Sequence, residues 1–243
     1  MSGRRRLPGF SRQTLTFLRA LTRHNDRDWF RSHRAEYDVH VRAPLVATVE
    51  RLAIDLPEFA PEAIASPARS LYRVYRDTRF SEDKSPLKTH IDAVFPWRGL
   101  QKHEGAGLYF EVAAGHAWIG GGLYMPPSQH LRQVREHIGA HPRRFRSVVT
   151  APAFRRVVGR LDGARLTRVP RGFPRDHPAA EYLMFKQFLA GREYPASFAA
   201  SPRFYSELLR VFRAVAPLVR FLNTPLLNLA ARSEAFLRAA DTR

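Results

Sequence analysis

The feature that most constrains this chain is a pair of alternating segments joined across one glycine. In "LYFEVAAGHAWIGGGLY", residues 108–124, Leu108–Ala113 and His116–Tyr124 have strand composition and Gly115 lies between them. Such a pattern reads as a tight hairpin. A lone hairpin is marginal in water, so it needs more strands and a covering layer. Two further strand candidates precede it, Leu71–Arg76 and Thr89–Phe95, and an antiparallel sheet is their natural assembly.

Helical patterns flank these strands. Ser11 is placed to cap a helix with Leu15, Leu18 and Leu21 on one face, and Asn25 to cap a second in which Trp29, His33, Tyr37 and Val41 recur every four residues. Pro44 suits the first turn of a third helix carrying Leu45, Val49, Leu52 and Leu56. After the hairpin, Pro127 and Ser128 open a helix, and shorter ones are expected at 142–150 and 152–161. "PAAEYLMFKQFLAG" reads as a helix with a proline start and a glycine stop, and two more, near 202–214 and 217–232, complete the pattern. The expected fold is α+β: a central mixed or antiparallel sheet of about four or more strands, covered by N-terminal and C-terminal helices. By region, residues 1–9 form a flexible basic N-terminus and 10–232 one domain. Within it lie a helical layer at 11–56, the sheet at 70–124, a basic helical region at 127–175 and C-terminal helices at 178–232, with 233–243 a fraying tail.

The chain has no cysteine, which excludes disulfides, thiolate nucleophiles, zinc–thiolate sites and iron–sulfur clusters. Pro8, Gly9, Arg12 and Gln13 interrupt what would be the apolar region of an export signal, and no stretch approaches eighteen uninterrupted apolar residues. A cytoplasmic, soluble protein without a membrane partner is expected. No histidine pattern has metal-ligand spacing, so no metal site is assigned; the cofactor stays open.

Chemistry concentrates in "RVYRDTRFSEDKSPLKTH", Arg73–His90, which leaves one strand candidate, crosses a loop through Ser81 and re-enters the sheet. The functional reading is a polar pocket in which Arg76, Arg79 and Lys88 bind an anion while Asp77, Asp83, Lys84 or His90 serves catalysis, because clustered charges shift pKa values toward neutrality. The alternative is an ion-pair network that pins a long loop. Arginine supplies 36 of the 40 basic residues, so the four lysines (Lys84, Lys88, Lys102 and Lys186) hint at positions needing a compact ammonium. "WIGGGLYMPP" adds Gly120, Gly121 and Gly122 before a helix start, a further candidate anion site.

The formal net charge is +18, and residues 132–175 hold twelve arginines against Glu136 and Asp162, a net +10. That is the footprint of a polyanion binder, with Arg143, Arg144, Arg146, Arg155 and Arg156 as candidate nucleic-acid contacts.

The motifs "NDRDWF" (25–30), "RVYRDTRFSEDKSPLKTH" (73–90), "GGGLYMP" (120–126), "PRGFPRDHP" (170–178) and Lys186 in "EYLMFK" together resemble the family catalogued as domain of unknown function 2461, found in bacteria and fungi. They run in the family's order from about Phe10 to Leu226. The resemblance implies a single α/β-type domain whose charged loop, glycine turn and "PRG" segment are the signature elements, and it carries no established reaction. Leu87 stands where many relatives carry an aromatic residue. The reading is therefore a protein of unknown function, with two expectations. One is an enzyme acting on a phosphate-bearing or other anionic substrate, possibly nucleic acid. The other is a non-catalytic nucleic-acid-binding protein that uses the surface of 132–175.

Overall fold

The structure, a computed structural model, describes residues 7–79 and 82–241, with side chains described through residue 229. The expectations for residues 1–6, for Ser81 and for the last two residues of the tail lie outside the described residues. Ser11 caps α1 (Arg12–Arg23), its hydroxyl accepting from the Thr14 N–H while the Thr14 hydroxyl accepts from the Ser11 N–H. Asp26, rather than Asn25, caps α2 (Arg27–Ser32) by accepting from the N–H groups of Asp28 and Trp29. The cap role thus passes to a carboxylate, which also suits the positive end of the helix dipole. α3 (Arg34–Tyr37) runs through a π-helical turn, Asp38–Arg42, into α4 (Ala43–Asp55). Pro44 has no N–H to offer the His40 carbonyl, and the Thr14 hydroxyl donates to that carbonyl instead at 2.6 Å.

After α5 (Pro67–Ser70) come β1 (His90–Phe95), β2 (Gly107–Ala113) and β3 (His116–Leu123). The chain continues through α6 (Ser128–Ala140), α7 (Pro142–Val149), α8 (Pro152–Val157) and α9 (Ala180–Leu183) to β4 (Phe188–Pro195) and α10 (Phe204–Asp241). The four strands form one antiparallel sheet in the order β1-β2-β3-β4. The fold is α+β, with helices from both ends of the chain around a central antiparallel sheet.

Three sequence expectations are corrected. Leu71–Arg76 is not a strand of the sheet. It touches the β1 edge at one bridge, Leu71 to Ala93, and then folds onto its own return limb, with Lys88 N–H to Val74 O at 2.8 Å and Arg76 N–H to Pro86 O at 2.9 Å. The expected sheet at 70–124 therefore begins at His90, and its fourth strand comes from 188–195. That strand is the second correction, because "FKQFLAG" is not helical and α9 stops at Leu183. A short apolar run fits either period, and the open edge of β3 decides in favour of pairing. Thirdly, Pro217 does not divide the C-terminal helix, and α10 continues past Pro217 and Pro225 with its backbone helical to Asp241. Each proline forfeits one intrahelical hydrogen bond. Buried Leu208, Val211, Phe212, Val215, Leu218, Val219, Leu222 and Leu226 form the apolar stripe that offsets the loss.

Alternation splits the sheet into two faces. Ile91, Ala93, Phe95, Leu108, Phe110, Val112, Ala117, Ile119, Phe188 and Ala190 are buried on one of them. Phe95 meets Phe212 of α10 at 5.5 Å between ring centroids, and Phe110 meets Phe204 at 6.1 Å. The other face carries His90, Asp92, Tyr109, Glu111, His116 and Trp118, which are polar or aromatic.

Candidate functional site on the polar face of the sheet

The β1–β2 register sets Asp92 directly opposite Glu111. Carboxylates at such cross-strand positions repel, so each needs its own compensation. For Asp92, which is 6% exposed, it comes from Lys88, whose Nζ lies 3.0 and 3.2 Å from the two carboxylate oxygens. Glu111 is bracketed: the Tyr109 hydroxyl donates to its Oε2 at 2.6 Å, and His116 Nε2 lies 2.8 Å from its Oε1. Tyr109 OH is also 3.5 Å from Asp92 Oδ2, so one hydroxyl stands between the two acids. Burial first, and then the charges of Asp92 and Glu111, hold the Tyr109 phenol well above its ordinary pKa. It stays protonated as a donor. His90 Nε2 approaches Asp92 at 3.8 Å.

A flanking group joins this face from the loop after β1. Lys88 Nζ and Lys102 Nζ lie 4.2 and 3.7 Å from the centroid of the Tyr72 ring. Lys102 donates to the Leu71 carbonyl at 3.1 Å, and the His103 ring centroid is 5.6 Å from that of Tyr72. Burial lowers the pKa of Lys102, and it lowers that of His103 with help from the charges of Lys102 and Lys88. A cavity about the size of one water separates the helices from the polar wall of Tyr72, Lys88, His90 and Asp92.

Two asparagines hold these segments. Asn25, released from capping, accepts from the Leu87 N–H at 3.0 Å and donates to the Leu87 carbonyl at 2.9 Å. This fixes the start of the Lys88–Asp92 run. Asn223, fully buried in α10, does the same for Ala106 at 2.8 and 2.9 Å and so anchors the loop of Lys102 and His103.

The residues singled out in the sequence separate into groups. Lys88 and His90 reach the polar face. Arg76 pairs with Asp83, which also accepts from the Ser85 N–H at 2.9 Å. Asp77 takes two hydrogen bonds from the Arg79 guanidinium, at 3.0 and 2.7 Å, and Lys84 donates to the Thr78 carbonyl at 3.1 Å. Hydrogen bonds from Arg79 lower the Asp77 pKa to about 2, and those from Ser85 and Arg76 hold Asp83 well below the carboxylate range. Carboxylates that acidic are weak bases at neutrality. Gly120–Gly122 sit in the interior strand β3, in register with β2 and β4, so their N–H groups belong to ladders. A Cβ on Gly120 would come within 2.5 Å of the Trp118 ring, which lies across Gly120 and Gly191. Gly122, at φ +136°, would bring one within 2.0 Å of the Phe188 carbonyl oxygen. Arg143, Arg144, Arg146, Arg155 and Arg156 are all exposed on α7 and α8.

Asp92, Tyr109, Glu111, His116, Tyr72 and His103 are the functional candidates that sequence reasoning left out, and Lys102 stood out there only as one of four lysines in an arginine-rich chain. The signal for the strand residues was present: Tyr109 and Glu111 alternate with Leu108, Phe110 and Val112, and acids at non-core strand positions stand out. Among the described residues no group of three or more metal-ligating side chains is assembled, and no helix is long and apolar enough to cross a membrane.

No curated protein and no solved structure matches the chain. The profile of the family described as conserved hypothetical protein (DUF2461) matches residues 13–221, which include the charged loop, the polar sheet face and the whole arginine-rich region, and the chain belongs to that family.

Proposed function

We propose that this protein is an enzyme that moves protons on a small, phosphate-bearing substrate at the polar face of the sheet. The observation that carries this reading is the hydrogen-bonded chain Lys88–Asp92–Tyr109–Glu111–His116, in which two opposed carboxylates share the neighbourhood of one hydroxyl. Stability alone would be better served by apolar cross-strand pairs, since one mispaired member of a polar network costs more than the network gains. The roles follow from the geometry. Glu111 orients His116; when His116 carries its proton on Nε2 and donates to Glu111, Nδ1 is the basic nitrogen. His116, 41% exposed, is the solvent-side member of the chain and serves as base or acid. Tyr109 is the half-buried donor, and the Lys88 ammonium supplies positive charge toward the anion. The test is depletion of phosphorylated small molecules from a cell extract, followed by mass spectrometry. Wild type should consume a phosphate-bearing species that Glu111→Gln and His116→Asn leave intact while unfolding at the same temperature. Equal depletion by all three, or none by wild type, rules the reading out.

A second reading is favoured by a separate observation. Arg143, Arg144, Arg146, Arg155, Arg156, Arg160, Arg165, Arg168, Arg171 and Arg175 are exposed, and the ion pair recorded between residues 132 and 175 is Arg132 with Glu136. A cationic surface with little internal neutralisation suits a nucleic-acid backbone. Affinity for DNA or RNA should fall log-linearly with salt, with a slope equivalent to several phosphates, and the slope should shrink in Arg143→Gln/Arg144→Gln/Arg146→Gln. Affinity indifferent to salt excludes it.

A further inference from the structure

We propose that Lys102 and His103, set against the Tyr72 ring beside Lys88, form the seat for the substrate's phosphoryl group. This deepens the enzymatic reading above and rests on it.

The argument begins with a charge imbalance. Two ammonium groups lie against one aromatic ring, Lys88 at 4.2 Å and Lys102 at 3.7 Å from its centroid. The one nearly buried carboxylate beside them, Asp92, is committed to Lys88 through both oxygens. Lys102 makes its hydrogen bond to a neutral acceptor, the Leu71 carbonyl. Glu104, the nearest acid in sequence, is turned back into its own loop, where its carboxylate accepts from the Gln101 N–H at 3.1 Å. The imidazole of His103 adds a third donor, and its pKa is lowered by burial and by the two lysines. Half-buried cations that repel one another are stabilised by an incoming anion, and a phosphoryl group offers several oxygens to several donors. Lysine in place of the arginine used elsewhere in the chain fits a compact point charge on a phosphate.

The loop is also built to hold a fixed shape. His103 has φ +77°, a left-handed conformation that a residue with a Cβ seldom adopts. Three independent anchors keep it there: the buried Asn223 amide on Ala106, His130 Nδ1 within 2.8 Å of the Glu104 carbonyl, and Lys102 on Leu71. Strain retained under that much support is the expected signature of a preorganised binding loop.

The groups bearing on His103 are Lys102 and Lys88, whose charges lower its pKa, and the Tyr72 ring, so a bound dianion should raise its titration point. The experiment is NMR of the imidazole signals of the full chain, with His103 assigned by comparison with His103→Asn, titrated with inorganic phosphate and in parallel with acetate at equal ionic strength. Phosphate should move the His103 titration upward along a saturable curve. Lys102→Met should weaken the apparent affinity about tenfold or more, the loss expected for one charge-assisted contact. No movement in wild type overturns the proposal irrespective of how any variant folds, and so does an equal response to acetate. Glu111→Gln separates the two readings: it should stop turnover and keep the phosphate response. A phosphate response without any turnover sinks the enzyme alone, and turnover without a phosphate response sinks the seat alone.

Discussion

Residues 76–85 and the polar face of the sheet are made of similar side chains used in opposite ways. In the loop Asp77 and Asp83 are satisfied within a few residues, Asp77 by Arg79 and Asp83 by Arg76 and Ser85. Both acids are largely exposed, with 60% of the Asp77 side chain and 58% of the Asp83 side chain open to solvent. On the sheet, Asp92, Tyr109, Glu111 and His116 are brought together across strands and are partly or nearly fully buried. Local pairing in water is worth little and fixes a loop's shape. Non-local pairing away from water couples each group to the next. Charge density along the chain therefore does not single out the polar face of the sheet, because that network is made of charges that the fold brings together from separate strands.

The largest effect should come from cutting the sheet network. Asp92→Ala strands the ammonium of Lys88, whose side chain is only 22% exposed, and should cost about 3 kcal/mol in urea unfolding. Restoring balance with Lys88→Met in the same background should recover much of that loss. If Asp92→Ala is neutral, the contrast between the two regions fails. Asn223→Ala should come next, at about 2 kcal/mol, because it leaves a buried N–H and a buried carbonyl of Ala106 without partners. Hydrogen exchange should then quicken selectively through residues 100–106. Uniform acceleration over the whole chain would mean that Asn223 holds the core rather than the loop.

How much of this was legible in the sequence differs between elements for physical reasons. The hairpin of β2 and β3 and the Ser11 cap are local, and local rules placed them. β4 was not, since "FLAGREYP" becomes a strand by pairing with the edge of β3, where Gly120 of β3 and Gly191 of β4 make room for Trp118. The unbroken α10 depends in the same way on packing that outweighs two prolines. In the candidate site, Lys88 and His90 were found by composition. The opposition of Asp92 and Glu111 needed the register, and the placement of Lys102 and His103 needed Asn223, which holds Ala106 from 117 residues further along the chain. Cysteine-free chemistry could be read from composition alone; which of the charges meet could not.

Acid titration gives the finest test, because the two regions should lose stability in different pH windows. His103 has a folded-state pKa below its ordinary 6.5, so the unfolded chain takes up the proton first. The benefit of keeping His103 neutral is present above pH 6.5 and lost as pH falls below it, levelling off once the folded state also protonates. Asp77 is depressed from 3.8 to about 2, so its contribution persists above pH 3.8 and disappears only between there and about pH 2. Its exposure makes that second loss small. In denaturant unfolding across pH, His103→Asn should therefore flatten the slope just below pH 6.5. Asp77→Asn should leave the curve unchanged down to pH 4 and produce no measurable shift in midpoint at neutrality. A drop in the Asp77→Asn midpoint at pH 7 comparable to that of Asp92→Ala would show that the loop's ion pairs are coupled to the core, and the line drawn between the two regions would then have to be moved.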